Sequence, residues 1–243
     1  MAASRLQKMI RVFTVNNGKW RLAMRPSREW MLEILKILRK TFGPMRHSLE
    51  DPFELLVATI LSQNTSDVNS RRAFRNLKVK LGKLTPSRLA SLSERELARL
   101  IKVSGLANVK ARRIRQASKA ILEKFEDDFS RGLKGNPEAV RAFLTSLPGV
   151  GEKTADVILA FGKGAPVVPV DTHLFTVASR LGIASSRNYR EVREAYERLI
   201  PESERAEGHL LLLNLGKVYC QARKPKCSLC PIRRLCPTGG KSG

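Results

Sequence analysis

All four cysteines of the chain, Cys220, Cys227, Cys230 and Cys236, fall in one short stretch with the pattern Cys-x6-Cys-x2-Cys-x5-Cys. Thiolates this close together suit a tetrahedral zinc ion or a cubane iron-sulfur cluster, and thiolate count alone favours zinc. A disulfide framework fits less well. No apolar leader with a small-residue cleavage site opens the chain, and thiols in a reducing compartment more often bind metal. A second chemical feature is the run Leu147-Pro148-Gly149-Val150-Gly151-Glu152-Lys153-Thr154-Ala155. Its glycines permit a tight turn, Val150 can anchor that turn in a core, and the exposed amides face outward with the N-terminus of the following helix. Such donors at a positive helix end suit a phosphate whatever base it carries. A bare Gly-x-Gly is more often an ordinary connector, but Pro148 before it and Lys153-Thr154-Ala155 after it make this run far more specific.

The elements available to hold these residues are helices. Met31, Ile34, Leu35 and Leu38 recur at i, i+3, i+4 and i+7, predicting an amphipathic helix that Gly43-Pro44 ends. Asp51-Pro52 sets a cap before a first-turn proline, and the segment from Phe53 to Leu61 is apolar on all sides, as a central buried helix would be. Ser93 and Glu96 form a capping-box pattern ahead of Leu97, Leu100 and Ile101, with Gly105 as the stop. Ile114, Ala117, Ile121, Leu122 and Phe125 make the next stripe, with Arg112, Arg113 and Arg115 on its exposed side. Asn136-Pro137 opens a helix carrying Val140, Phe143, Leu144 and Leu147 on one face. The stretch from Ala165 to Val170 holds two prolines and reads as an extended connector. Two helices follow, on Leu174, Val177, Ala178 and Leu181 and on Val192, Ala195, Tyr196 and Leu199. A last one, from about His209 to Tyr219, leads into the cysteines. The class is all-α.

Lys and Arg number 45 against 22 Asp and Glu in 243 residues, a formal charge of +23. Charge says nothing about fold, but this excess draws a polyanion such as nucleic acid. No apolar run approaches the roughly 20 residues that cross a bilayer, so a membrane role is not expected and an intracellular protein of cytoplasm or nucleoid is. Residues 1–25 read as a basic arm, either disordered or draped on DNA.

The run LPGVGEKTA, the later Val170-Asp171-Thr172-His173 and the cysteine pattern together resemble the endonuclease III family of helix-hairpin-helix DNA glycosylases, from about Pro26 to Pro237. The resemblance implies a six-helix barrel domain with the hairpin (48–164), and a helical iron-sulfur domain assembled from 26–47 and 165–243, with the active site in the cleft between them. It makes Lys153 the nucleophile and Asp171 its catalytic partner, and it reverses the preference for zinc. The cysteines become ligands of a structural [4Fe-4S] cluster whose loop turns Arg223, Lys224 and Lys226 toward phosphate. Gly149, Val150, Gly151 and Thr154 become the hairpin's DNA contacts. In the loop Leu61-Ser62-Gln63-Asn64-Thr65-Ser66-Asp67, either Gln63 or Asn64 is the wedge that fills the space of an extruded base, and Leu106 matches an intercalating leucine or packs after a helix stop. Asp67 lines the pocket or caps a helix. The implied partner is double-stranded DNA with damaged bases or abasic sites, bound by a monomer.

The chemistry suits an amine. Displacing a base at C1′ with an amine gives a Schiff base that acidifies the C2′ proton, so β-elimination of the 3′ phosphate follows. The amine must be partly unprotonated, which desolvation or cationic neighbours provide. A carboxylate can stabilise the cationic sugar and relay protons. Asp171 can also cap the next helix, both roles coexisting, and His173 reads as structural. The rival readings are a monofunctional mismatch-directed glycosylase, which Lys153 argues against, and a non-catalytic DNA grip, which Asp171 and the cysteines argue against.

Overall fold

The computed structural model of the protein describes residues 11–16 and 19–24, as backbone strands, together with 26–49 and 51–239. Two compact units emerge, one of Met1–Arg46 with Pro166–Gly243 and one of His47–Ala165. Both are helical. Among the described residues no helix is long and apolar enough to cross a membrane.

The first unit holds α1 (Arg28–Phe42), α9 (Thr172–Leu181), α10 (Tyr189–Leu199) and α11 (Arg205–Val218), followed by short 3-10 turns at Cys227–Leu229 and Arg233–Leu235. The α1 stripe is buried as its spacing predicts, and it packs with Val168, Val170, Leu174, Val177, Tyr196, Leu211, Leu212 and Leu215. The Trp30 indole N–H donates to the Leu235 carbonyl at 3.1 Å, tying α1 to the cysteine-bearing segment.

The expected basic arm is corrected in part. Arg11–Asn16 (β1) and Lys19–Met24 (β2) pair antiparallel, in the register Arg11↔Met24 to Asn16↔Lys19. That register leaves two residues between the strands, and in the sequence they are Asn17-Gly18, the dipeptide that favours a two-residue hairpin between β-prone segments. Residues 1–10, and with them the remainder of that expectation, lie outside the described residues.

The second unit contains α2 (Pro52–Ser62), α3 (Asp67–Leu81), α4 (Pro86–Ser91), α5 (Glu94–Leu100), α6 (Ala107–Phe125), α7 (Pro137–Ser146) and α8 (Glu152–Val157), which widens into a π-helix at Ile158–Lys163. Helix α2 is the central one, with Phe53, Leu55, Leu56, Val57, Ile60 and Leu61 all buried. Its lone acid, Glu54, accepts from Lys78 Nζ and from the Leu84 amide. The stretch after α6, which carried no assignment from sequence, turns through a 3-10 helix at Phe129–Leu133 and buries both Phe129 and Leu133. Among the described helices, eight begin with a Ser, Thr, Asp or Asn side chain accepting from a first-turn amide. The exceptions are α6, α8 and α11, which begin after Leu106, Gly151 and Glu204.

Candidate active site and cysteine centre

Between α7 and α8 the chain makes the tight turn that its glycines predict. Gly149 has φ +81°, the left-handed region that suits glycine, and the Val150 amide donates to the Leu147 carbonyl at 3.1 Å. Leu147 and Val150 are buried and anchor the turn from below. A Cβ at Gly149 would stand 2.6 Å from Arg113 Cδ, so the aliphatic stem of Arg113 lies directly on the turn. Gly151 precedes α8 with no side chain to cap it, and Lys153 is the second residue of that helix, half-buried. Thr154 turns inward instead and is 4% exposed. Asp156, fully buried, accepts from Arg141 Nε at 2.8 Å, joining the two helices of the hairpin by an ion pair.

Gln63 and Asn64 separate cleanly. Gln63 Nε2 donates to the Gly149 carbonyl at 3.0 Å, while Gln63 Oε1 accepts from Arg113 Nη1 at 3.2 Å, so both ends of the amide are engaged against the hairpin. Asn64 is exposed, with φ +52°. Leu106 is likewise exposed, at 58%, with φ +49° and ψ +34°. Non-glycine residues at positive φ are uncommon, and among the described residues only one other, Glu126 at the end of α6, shares this feature. The cap of α3 is Ser66, whose Oγ accepts from the Asn69 amide at 3.3 Å; Asp67 takes the first helical position instead.

In the first unit, Asp171 caps α9 as expected, its Oδ1 accepting from the Leu174 amide at 2.9 Å. The connector leading to it is held by His209 Nδ1 at 2.8 Å from the Pro169 carbonyl, and by the Val170 amide donating to the Tyr189 hydroxyl. His173 packs on α11, since a Cβ at Gly216 would stand 2.7 Å from His173 Cβ. The buried Tyr196 hydroxyl donates to the Leu174 carbonyl at 2.8 Å. Burial, with the charges of Asp171 and Cys220 nearby, pushes its ionisation well above the ordinary phenol range.

The four cysteines are half-buried, none is paired in a disulfide, and all line one cavity with Leu181, Leu215, Tyr219 and Ile232. No three His, Cys, Asp or Glu side chains among the described residues converge on a point as ligands of a single ion would. Burial pushes the Cys220 thiol up and the Cys230 thiol to about 11, so a bound cation would favour ionising these two. Arg180 of α9 supplies one charge: its guanidinium donates to the carbonyls of Cys220, Gln221 and Ala222 and lies 3.4 Å from Cys220 Sγ. Arg223, Lys224 and Lys226, between the first two cysteines, are all exposed.

Sequence reading missed the supporting residues Arg113, Arg141, Asp156 and Arg180. Their partners are distant in the chain, and in so basic a protein an arginine carries no mark of its role. Lys110 was also missed although a signal existed, because extending the buried stripe of Ile114, Ala117 and Ile121 back by one turn reaches it. Lys110 is 1% exposed, and its amino group donates to two backbone carbonyls.

Comparison with known proteins gives the family. The profile of the HhH-GPD superfamily of base excision DNA repair proteins matches residues 57–202. Endonuclease III of Sulfolobus acidocaldarius is 35% identical over 185 residues, 76% of this chain and 81% of its own length. Endonuclease III of Escherichia coli K12 is 35% identical over 207 residues, 84% of this chain and 93% of its own. The solved structure of a trapped endonuclease III-DNA covalent intermediate superposes with a TM-score of 0.76 at 29% identity, covering 88% of this chain and 98% of that one. With the glycine hairpin, the capping aspartate and the cysteine cavity in place, the chain belongs to the endonuclease III family of helix-hairpin-helix base excision repair proteins.

Proposed function

We propose that this protein is a bifunctional DNA glycosylase and abasic-site lyase that removes oxidised pyrimidines from duplex DNA. The observation that carries the reading is the place of Lys153, one residue into the helix that follows the hairpin turn. A turn that grips a backbone phosphate brings such an amine to the adjacent sugar. The Lys153 nitrogen attacks C1′, the C1′–base bond breaks, and the base departs with its electron pair and a proton. Loss of water is not required: the sugar ring opens to leave a Schiff base between C1′ and the lysine. Removal of the C2′ proton expels the 3′ phosphate, nicking the strand, and water then releases the enzyme. Asp171 stabilises the cationic sugar and accepts protons while its Oδ1 keeps the cap of α9.

The damaged nucleotide must leave the stack before it reacts, and unstacking a base costs a few kcal/mol unless the space is filled. Asn64 and Leu106 are the residues that fill it, both exposed and both on strained backbone. Gln63 serves the hairpin instead. The cysteines would hold a [4Fe-4S] cluster: thiols spaced around a cavity suit a polynuclear centre, and the family resemblance favours iron-sulfur. Such a cluster, with every ligand a thiolate, supplies structure rather than an open site for substrate. Its part is to hold Arg223, Lys224 and Lys226 outward for phosphate contact.

Borohydride reduction tests the reading directly. The protein should be trapped covalently on duplex DNA bearing an oxidised pyrimidine or an abasic site, and K153A should not be. Robust trapping of K153A would remove Lys153 as the nucleophile, and base release without trapping or nicking by the wild type would point to a monofunctional glycosylase.

A further inference from the structure

One buried cation in the second unit takes no part in the chemistry above. Lys110 belongs to the first turn of α6, where the helix dipole disfavours a positive charge, and its side chain is almost wholly buried. Burial lowers its proton affinity below the ordinary lysine range. Two unfavourable terms at one residue need compensation, and the acceptors show where it comes from. Lys110 Nζ donates at 2.8 Å to the carbonyl of Leu61, in the last turn of α2, and at 2.7 Å to the carbonyl of Ser104, the last residue of the 3-10 turn Lys102–Ser104. Carbonyls at helix ends lack partners in the helix and carry its partial negative charge, so each is a strong acceptor for a cation. The residues just beyond them lead to the two exposed, left-handed side chains. Leu61 runs through Ser62 and Gln63 to Asn64, and Ser104 runs through Gly105 to Leu106.

We propose that Lys110 is the positioning residue of base extrusion, an internal clamp that holds the Asn64 and Leu106 loops at a fixed spacing so that they enter the DNA stack as one unit. This rests on the assignment of those two residues as wedges. The Lys110 amide itself donates to the Leu106 carbonyl at 3.0 Å, so the lysine holds the Leu106 loop by its backbone as well as by its side chain. Removing the amino group leaves two interior carbonyls unpaired and frees the loops to move separately.

The test uses the full chain and duplexes carrying an oxidised pyrimidine beside 2-aminopurine, whose fluorescence rises when its stacking is broken. K110M keeps the stem and removes the donor. It should slow base excision by at least about tenfold and blunt the fluorescence rise, while nicking of a preformed abasic site, where no base need be unstacked, stays within about twofold. An equal slowing of both reactions, or no slowing of either, overturns the clamp. Should K110M not fold, N64A, L106A and the double variant decide the matter in the wild-type frame. Wedges on one clamp are coupled, and the double variant should depart from the product of the single losses by about fivefold or more. Losses that simply multiply would overturn the clamp and leave the wedges standing. If neither single variant changes excision or fluorescence, the wedge assignment itself fails and the proposal falls with it.

Discussion

Gly149 and Lys153 sit four residues apart and constrain the hairpin in unlike ways: one by lacking a side chain, the other by what its side chain can reach. G149A would place a methyl on a backbone at φ +81° and 2.6 Å from the stem of Arg113. It should lower stability by about 1–3 kcal/mol in urea unfolding and weaken binding to undamaged duplex. A variant with unchanged midpoint and affinity would mean that the Arg113 stem yields easily. At this scale the sequence was legible where partners are close along the chain. Asp171 could be read as a cap because the amide it accepts from is three residues on. Gln63 and Asn64 could not be told apart, because the partners that fix Gln63, Gly149 and Arg113, lie 86 and 50 residues away.

Helices α7 and α8 are joined beneath the turn by Arg141 and Asp156, the latter fully buried. Removing either charge leaves the other in the interior with weaker compensation, although Glu138 still lies 3.9 Å from Arg141. D156N should therefore cost up to about 3 kcal/mol, and R141M a similar amount, as measured by the urea midpoint. If either change costs less than about 1 kcal/mol, the pair is not what holds the hairpin helices together. Most elements were legible from apolar periodicity and caps, and the capping box at Ser93 and Glu96 forms with both hydrogen bonds present. Helix α3 escaped notice because its buried face is only Ser70, Ala73 and Leu77, a stripe too weakly apolar to stand out among its arginines and lysines. The β1–β2 hairpin is hard to read because basic residues occur in both segments, although Asn17-Gly18 lies between them in the sequence.

Over the whole molecule, the excess of 23 positive charges should make binding to DNA steeply salt-dependent. R223E with K226E should lower affinity for every duplex alike and reduce the slope of log affinity against log salt by about 0.9 for each phosphate no longer neutralised. An unchanged slope would take that loop off the DNA. Acid stability carries a second signature. The Arg39 guanidinium, 2.7 Å from Glu207, holds that carboxyl below its usual range, helped by the Met45 amide. A depressed folded value stabilises fully above the unfolded carboxylate's range and is lost as pH falls through the folded value. E207Q should thus cost up to about 1 kcal/mol at pH 7, because the pair is partly exposed, and progressively less as pH falls below the ordinary carboxylate range; a penalty that does not shrink in acid would assign the effect to packing. That the chain is helical and basic, with its thiols gathered in one place, was legible from composition and spacing. How it divides in space does not follow from composition or spacing, since the first unit gathers residues from both ends of the sequence; only the family resemblance implies such a division.

That interleaving bears on how the protein is made. The hydrogen bond from Trp30 to Leu235 spans 205 residues, and among the described residues the apolar face of α1 is covered mainly by Val168, Val170, α9, α10, α11 and the segment beyond. On the ribosome, residues 47–165 emerge as one contiguous unit able to fold on its own schedule. Trp30, Met31, Ile34, Leu35 and Leu38 must wait through all of that synthesis with their greasy side uncovered. The nascent chain is therefore most vulnerable to aggregation and to chaperone capture just before its last helices appear, and a stalled ribosome would leave the repair enzyme's first helix as its stickiest part.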